Sequence, residues 1–196
     1  METFQQEEGQ PELQLVAEDE INWKRFVFDL LETLILAVVL FVGINTISAR
    51  VRVDGTSMVP TLQDGEFVLV NKLSYKMGEV SRGDIIVFHF PLNPDEDLIK
   101  RVIGLPGDVV RVQDGHVYVN NIMLTETYIA DAPSYTSDWQ VPADNFFVLG
   151  DNRNNSSDSH SWGVLPREKI VGKAVVIYWP PPFWKILNHP DILAAQ

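Results

Sequence analysis

The chain has 196 residues, room for one compact domain plus an additional segment and little space for a second core. Its 15 lysine and arginine residues against 27 acidic ones leave a net charge of −12, which argues against nucleic-acid binding, because phosphate readers present a basic face. Cysteine is absent, so disulfides and thiolate metal sites are excluded.

Residues 1–25 carry Glu2, Glu7, Glu8, Glu12, Glu18, Asp19 and Glu20 against Lys24 and Arg25 and lack apolar periodicity, which predicts a polar, acidic tail. Residues 26–49 follow as a candidate membrane anchor. Its uncharged core, Thr33 to Ala49, sits at the short end of the roughly 17–25 residues that span a bilayer. Asp29 and Glu32 fall near the headgroups, where charge costs least. Two other readings of this stretch are a buried core helix and a cleaved signal peptide ending at Thr46-Ile47-Ser48. The acidic N-terminus opposes the second, since a signal peptide begins with a basic region. Lys24 and Arg25 before the span are nearly balanced by Arg50 and Arg52 after it, so charge leaves the orientation open.

From Arg50 the pattern changes to short apolar runs punctuated by Asp64-Gly65, Arg82-Gly83, Pro106-Gly107-Asp108 and Asp114-Gly115. Strands are predicted over 67–70, 84–90, 98–103, 109–112, 117–119, 145–149 and 174–178. With no amphipathic helix between them, these strands predict an all-β fold: an antiparallel β domain over residues 50–180 behind one N-terminal transmembrane helix. Residues 181–196 read as a C-terminal tail whose Phe183 and Trp184 rest on a membrane surface or pack.

Three segments carry chemistry. In Asp54-Gly55-Thr56-Ser57-Met58-Val59-Pro60-Thr61-Leu62, Ser57 follows a glycine turn that leaves its hydroxyl free to project; taken alone, the motif is weak and reads as a capping serine in a loop. In Leu98-Ile99-Lys100-Arg101-Val102, strand alternation sets Lys100 beside Leu98 and Val102. An ammonium group on an apolar face loses solvation, its pKa falls, and near neutrality it can accept a serine proton. The plain alternative is an edge lysine whose stem snorkels to water. In Gly150-Asp151-Asn152-Arg153-Asn154-Asn155-Ser156-Ser157-Asp158-Ser159-His160, Arg153 and Ser156 break the EF-hand spacing, so a calcium loop is rejected. A Ser–His–Asp triad built on His160 and Asp158 stays open at this stage.

Taken together and in this order, these motifs resemble the bacterial type I signal peptidases, or leader peptidases, over nearly all of residues 24–180. The resemblance rests on Ser57-Met58-x-Pro60-Thr61-Leu62 after an anchor, Gly83-Asp-Ile-Ile-Val-Phe88, Ile99-Lys-Arg-Val-Ile-Gly-Leu-Pro-Gly-Asp108, and Gly150-Asp-Asn-Arg153 followed by Ser156, Asp158, Ser159 and Gly163. It implies a Ser–Lys dyad without cofactor or metal, with Ser57 as nucleophile, Lys100 as general base and Ser156 holding the lysine amine. Asp151, Arg153 and Asp158 correspond to residues that brace the site. By the same resemblance, signal peptides of exported preproteins are the substrates. They lie extended between Val51–Gly55 and the strand entering Lys100, with Met58, Leu62, Leu98 and Ile99 shaping a small pocket for alanine. The catalytic domain lies outside the cell membrane, which the chain crosses once, and the lipid bilayer is a second partner; nucleic acid is not. Two departures stand out. Gly55 replaces the serine that supplies an oxyanion donor in some members, so backbone N–H groups are expected to form that hole, Ser57's among them. His160, two residues after Asp158, stands where the family often has arginine, so a bracing ion pair is expected to be weaker or pH-dependent. A self-cleaving Ser–Lys repressor and a non-enzymatic anchored β domain are the rival readings; the first requires a DNA-binding domain where this chain has an acidic tail and an apolar span.

Overall fold

The computed structural model describes residues 22–190, 192 and 193. Most of the acidic tail expected over residues 1–25 therefore lies outside the described residues. The chain divides into two units, residues 1–41 and 42–196.

Trp23–Ile47 forms one 25-residue helix, α1, about 37 Å long at 1.5 Å per residue and so longer than a roughly 30 Å hydrocarbon core. None of its residues is buried, and it is long and apolar enough to cross a membrane. The hydroxyls of Thr33, Thr46 and Ser48 donate to the carbonyls of Asp29, Val42 and Ile44 one turn back, which satisfies them without water. The helix stops two residues before the expected boundary. The Ile47 carbonyl is taken by the Lys72 amide, and Ser48 opens the first strand.

The strands are β1 (Ser48–Arg52), β2 (Phe67–Asn71), β3 (Ile85–Phe90), β4 (Asn93–Gly104), β5 (Val109–Gln113) and β6 (His116–Val119). They continue as β7 (Ile122–Met123), β8 (Ser137–Gln140), β9 (Asn145–Leu149), β10 (Leu165–Pro166), β11 (Ile170–Trp179) and β12 (Lys185–Ile186). Two single-turn helices, α2 (Ser74–Met77) and α3 (Ser159–Trp162), interrupt them. The larger sheet runs β1-β2-β11-β3-β4-β9-β10 with β12 paired to β11; the smaller runs β7-β6-β5-β8. Every pairing is antiparallel, as expected. The strands not anticipated are short or polar edge pieces such as Ser137-Asp-Trp-Gln140, where side-chain alternation carries little signal.

The continuous apolar runs of β3 and β9 have a tertiary cause. Ile85 and Val87 enter one core with Val53, Met58, Leu62 and Ile99, whereas Ile86 and Phe88 enter another with Val102, Phe146 and Val148. Phe147 and Leu149 face a third core under the small sheet, with Val110, Val112, Val117 and Val119. Strands buried on both faces lose the apolar–polar alternation usual in antiparallel sheets.

The described part of the segment expected as a tail, residues 181–190, 192 and 193, contributes to these cores. Ile186 pairs with Val176, the Leu187 amide donates to the Val175 carbonyl, and Leu187 and Ile192 are fully or almost fully buried. The Ile85 amide donates to His189 Nδ1 at 3.1 Å, so the segment also closes a gap beside β3. Leu187→Ala should therefore lower stability by about 2–5 kcal/mol, whereas Phe183→Ala, at a 57% exposed position, should change it by about 0.5 kcal/mol or less. Denaturant unfolding of the two variants checks this; equal effects would remove the segment from the core.

Candidate active site

The turn between β1 and β2 presents Ser57. Gly55 has φ +91°, a left-handed conformation that favours glycine, and its amide donates to Asp64 Oδ1 at 2.8 Å. Backbone bonds from Val53 to the Glu66 carbonyl and from Gly65 to the Val53 carbonyl close the base of the loop. Met58 and Leu62, 1% and 0% exposed, anchor it from below. Ser57 is left half-buried, and its amide donates no hydrogen bond among the described residues.

Lys100 lies across from Ile86 of β3, on the face that carries Leu98 and Val102 into the core shared with Ile86, Phe88 and Phe146. Its side chain is 3% exposed, and its Nζ is hydrogen-bonded to Ser57 Oγ at 2.8 Å and to the Ile99 carbonyl at 3.0 Å. Burial pushes its pKa down to about 8, against the opposing pull of Asp158, Asp151 and Glu96. A serine hydroxyl and a lysine amine of this kind can exchange a proton.

The loop after β9 encloses this pair. The Asn152 amide donates to the Ser57 carbonyl, Asn152 Nδ2 to the Thr56 carbonyl and Asn155 Nδ2 to Thr56 Oγ1, at 3.0–3.1 Å. A Cβ on Gly150 would overlap both the Ser156 hydroxyl and the Ser57 carbonyl, so only glycine lets the loop approach so closely. Ser156 Oγ is buried there and makes no hydrogen bond; the expected grip on the lysine amine is not formed. Asp151 accepts two hydrogen bonds from Arg101, at 2.8 and 2.7 Å, and one from Thr61. Arg153 reaches the Gly150 carbonyl and is clamped by Glu126, which also accepts from the Tyr128 hydroxyl. Asp158 accepts from the Gly150 amide at 2.8 Å and from His160 Nδ1 at 2.6 Å.

Sequence reasoning singled out neither Glu126 nor Tyr128, nor the partnership of Arg101 with Asp151. Glu126 and Tyr128 lie between β7 and β8, in a loop with no motif, and only tertiary folding brings them to Arg153 and Arg101. The expected pocket group divides. Val51, Met58, Leu62 and Ile99 share one core, whereas Leu98 packs on the opposite face of β4, so the four pocket side chains named from the sequence do not form one wall. His160 hydrogen-bonds to Asp158, and the partner of the Ser57 hydroxyl is Lys100. Among the described residues, no group of three or more His, Asp or Glu side chains is placed to hold a metal ion.

The Asp158 carboxylate hydrogen bond raises the His160 pKa above 6.5. A raised folded-state value means that the stability gained is complete below about 6.5 and is lost as pH climbs through the folded value. The difference in unfolding free energy between wild type and His160→Ala should therefore be largest near pH 6 and shrink by pH 9. A difference that stays constant with pH would mean that the pair is uncharged.

A profile of the signal peptidase, peptidase S26, family matches residues 27–179. The "Probable signal peptidase I-2" of Synechocystis sp. is 48% identical over 162 residues, 77% of this chain and 72% of that protein. The signal peptidase I of Leptolyngbya laminosa is 49% identical over 161 residues, 76% of this chain and 78% of that one. The crystal structure of a signal peptidase I from Enterococcus faecalis is similar at 33% identity and TM-score 0.43, covering 49% of this chain and 97% of that one. With a family match across most of its length and relatives near half identity, the chain belongs to the signal peptidase family, peptidase S26.

Proposed function

We propose that Ser57 and Lys100 form the catalytic dyad with which this chain, by its family a peptidase of exported precursor proteins, removes N-terminal signal peptides after small-x-small sites. The observation that carries this reading is the 2.8 Å hydrogen bond between Ser57 Oγ and a lysine amine that is 3% exposed. At a pKa of about 8, about a tenth of the amine is neutral at pH 7, against roughly one part in 3,000 for an unperturbed lysine. The rival reading of a non-catalytic membrane-anchored β domain leaves this desolvated lysine without a purpose.

In the proposed reaction the Ser57 hydroxyl passes its proton to neutral Lys100 Nζ as Oγ attacks the scissile carbonyl carbon. The Ser57 amide, free among the described residues, donates to the developing oxyanion. The Lys100 ammonium then protonates the leaving amine, and the C–N bond breaks to give an ester on Ser57. A water molecule, deprotonated by the same amine, hydrolyses that ester and restores the enzyme. A neutral Nζ has two hydrogens; one reaches the Ile99 carbonyl, and the other is available to the unpartnered Ser156 hydroxyl once the loop adjusts.

The substrate would lie extended along Val51 to Gly55 and the strand entering Lys100 through Leu98 and Ile99. Met58 and Leu62 are packed solid beneath the nucleophile turn, so the floor there is filled, which suits alanine and excludes larger side chains. Arg101–Asp151, Arg153–Glu126 and Asp158 brace the site from behind. Helix α1 would cross the cell membrane once, with residues 1–24 inside and the β domain outside, where cleavage sites of exported chains emerge. Protease treatment of right-side-out vesicles should digest or release the β domain; full protection would reverse this orientation.

Lys100→Arg and Ser57→Ala should each abolish cleavage of an Ala-x-Ala signal-peptide substrate while the fold is retained, because a guanidinium cannot deprotonate in a protein. In the wild type, kcat/KM should rise with pH through about 8, and Ser156→Ala should lower kcat with less effect on KM. Turnover by Lys100→Arg, or a rising limb near 10, would remove Lys100 as the base.

A further inference from the structure

Three carboxylates favour the charged form of Lys100, and their own partners differ. Asp151 is neutralised by a permanent cation, the buried guanidinium of Arg101, in a two-point ion pair. Glu96 is exposed on β4, where solvent and salt screen it. Asp158, 0% exposed, is joined to the dyad by contact: its Oδ2 accepts from the amide of Gly150, which abuts the Ser57 carbonyl, and Ser57 Oγ meets Lys100 Nζ at 2.8 Å. Its charge acts on Lys100, and its cationic partner is the titratable imidazole of His160.

The site around His160 suits a proton that comes and goes. Asp158 Oδ1 accepts from both the His160 amide, at 3.1 Å, and Nδ1, at 2.6 Å, while Oδ2 accepts from the Gly150 amide. The imidazole lies flat on the ring of Tyr135, with centroids 4.4 Å apart and planes at 13°, a geometry that favours the imidazolium. Its side chain keeps 25% of its exposure, enough to exchange protons with water. Tyr135 also feels Asp158, Arg153 and Glu126; the last two neutralise each other in a buried pair, and burial holds the Tyr135 hydroxyl protonated well beyond neutral pH.

We propose that His160 is a positioning residue of the reaction: through Asp158 it governs how readily the Lys100 amine gives up its proton. While His160 is protonated, the Asp158 charge is compensated and Lys100 deprotonates more easily. Once His160 loses its proton, Asp158 stands as an unmatched buried anion that holds the proton on Lys100. The coupling is reciprocal, so neutralising Lys100 also strengthens the proton on His160. The neutral amine then accumulates over a broader pH range than one independent titration allows. This inference rests on the assignment of Lys100 as the base.

The test is the pH dependence of kcat/KM for a signal-peptide substrate in full-length wild type, His160→Gln and His160→Arg, each confirmed folded by thermal melting. His160→Gln removes the cation, so its rising limb should move to higher pH and its rate near pH 7 should fall by about three- to tenfold, a shift of half to one pKa unit. That deficit should close as pH passes the shifted limb. His160→Arg supplies a permanent cation; its limb should lie at or below the wild-type position and should be steeper, like that of a single group. Superimposed limbs in the three proteins, or a loss in His160→Gln that is equal at every pH, would overturn the proposal and leave His160 a structural residue. Those outcomes are distinct from failure of the dyad itself, in which Ser57→Ala or Lys100→Arg would keep turnover.

Discussion

A lysine amine held out of water next to a serine hydroxyl is the constraint on which the rest of this structure depends. Lowering a lysine pKa from 10.5 to about 8 disfavours the charged form by roughly 3–4 kcal/mol, a sizeable fraction of a small domain's net stability. The energy has to come from rigid surroundings, because a flexible side chain would relieve the strain by reaching solvent. Lys100 is denied that escape by its place on a strand between β3 and β9, with Ile86 across from it and Leu98 and Val102 on either side.

The scaffold supplies rigidity by burying its central strands on both faces. β3 and β9 each send alternate residues into two different cores, so neither can slip in register without expelling large side chains. The C-terminal segment closes the remaining gap beside β3 with Leu187 and His189. Two buried arginines complete the frame. Arg101 and Arg153 are each 1% exposed, and their carboxylates, Asp151 and Glu126, come from distant segments. Removing either partner of such a pair would strand an uncompensated charge, at a cost of about 3–5 kcal/mol. These pairs tie the loop after β9 to the β4 strand and to the loop before β8, and that loop in turn holds the nucleophile turn through Asn152 and Asn155.

The electrostatic logic follows from the same enclosure. Buried carboxylates near a desolvated lysine oppose its neutral form, and in the loop after β9 and its surroundings Asp151 and Glu126 are matched with arginine and Asp158 with histidine. Arginine keeps its charge at every accessible pH, whereas the His160 imidazole, raised above its ordinary 6.5 by the hydrogen bond to Asp158, moves toward the lowered value of Lys100. The neighbourhood of Lys100 is therefore partly fixed and partly responsive, and the responsive element is a single ring packed on Tyr135.

Much of this was legible in the amino-acid sequence. The apolar helix and the antiparallel strands follow from local pattern, because hydrophobic length, strand alternation and turn chemistry are encoded within a few neighbouring residues; the pairing of Ser57 with Lys100 was implied only by the resemblance of the ordered motifs to a known family. The sequence also placed Asp151, Arg153 and Asp158 in one loop. What they hold was decided only by tertiary structure: Arg101 for Asp151, Glu126 for Arg153, and the Gly150 amide together with His160 for Asp158. The same applies to Leu98 and Ile99, which face different cores, to Ser156, whose hydroxyl is buried without a partner, and to the segment after residue 180, whose few apolar residues have no periodicity of their own. In each case the deciding contact joins segments that the chain separates by a turn or by dozens of residues. Residue type and spacing announce that a charge or an apolar side chain needs a partner, but only the packing of distant strands determines which one it meets.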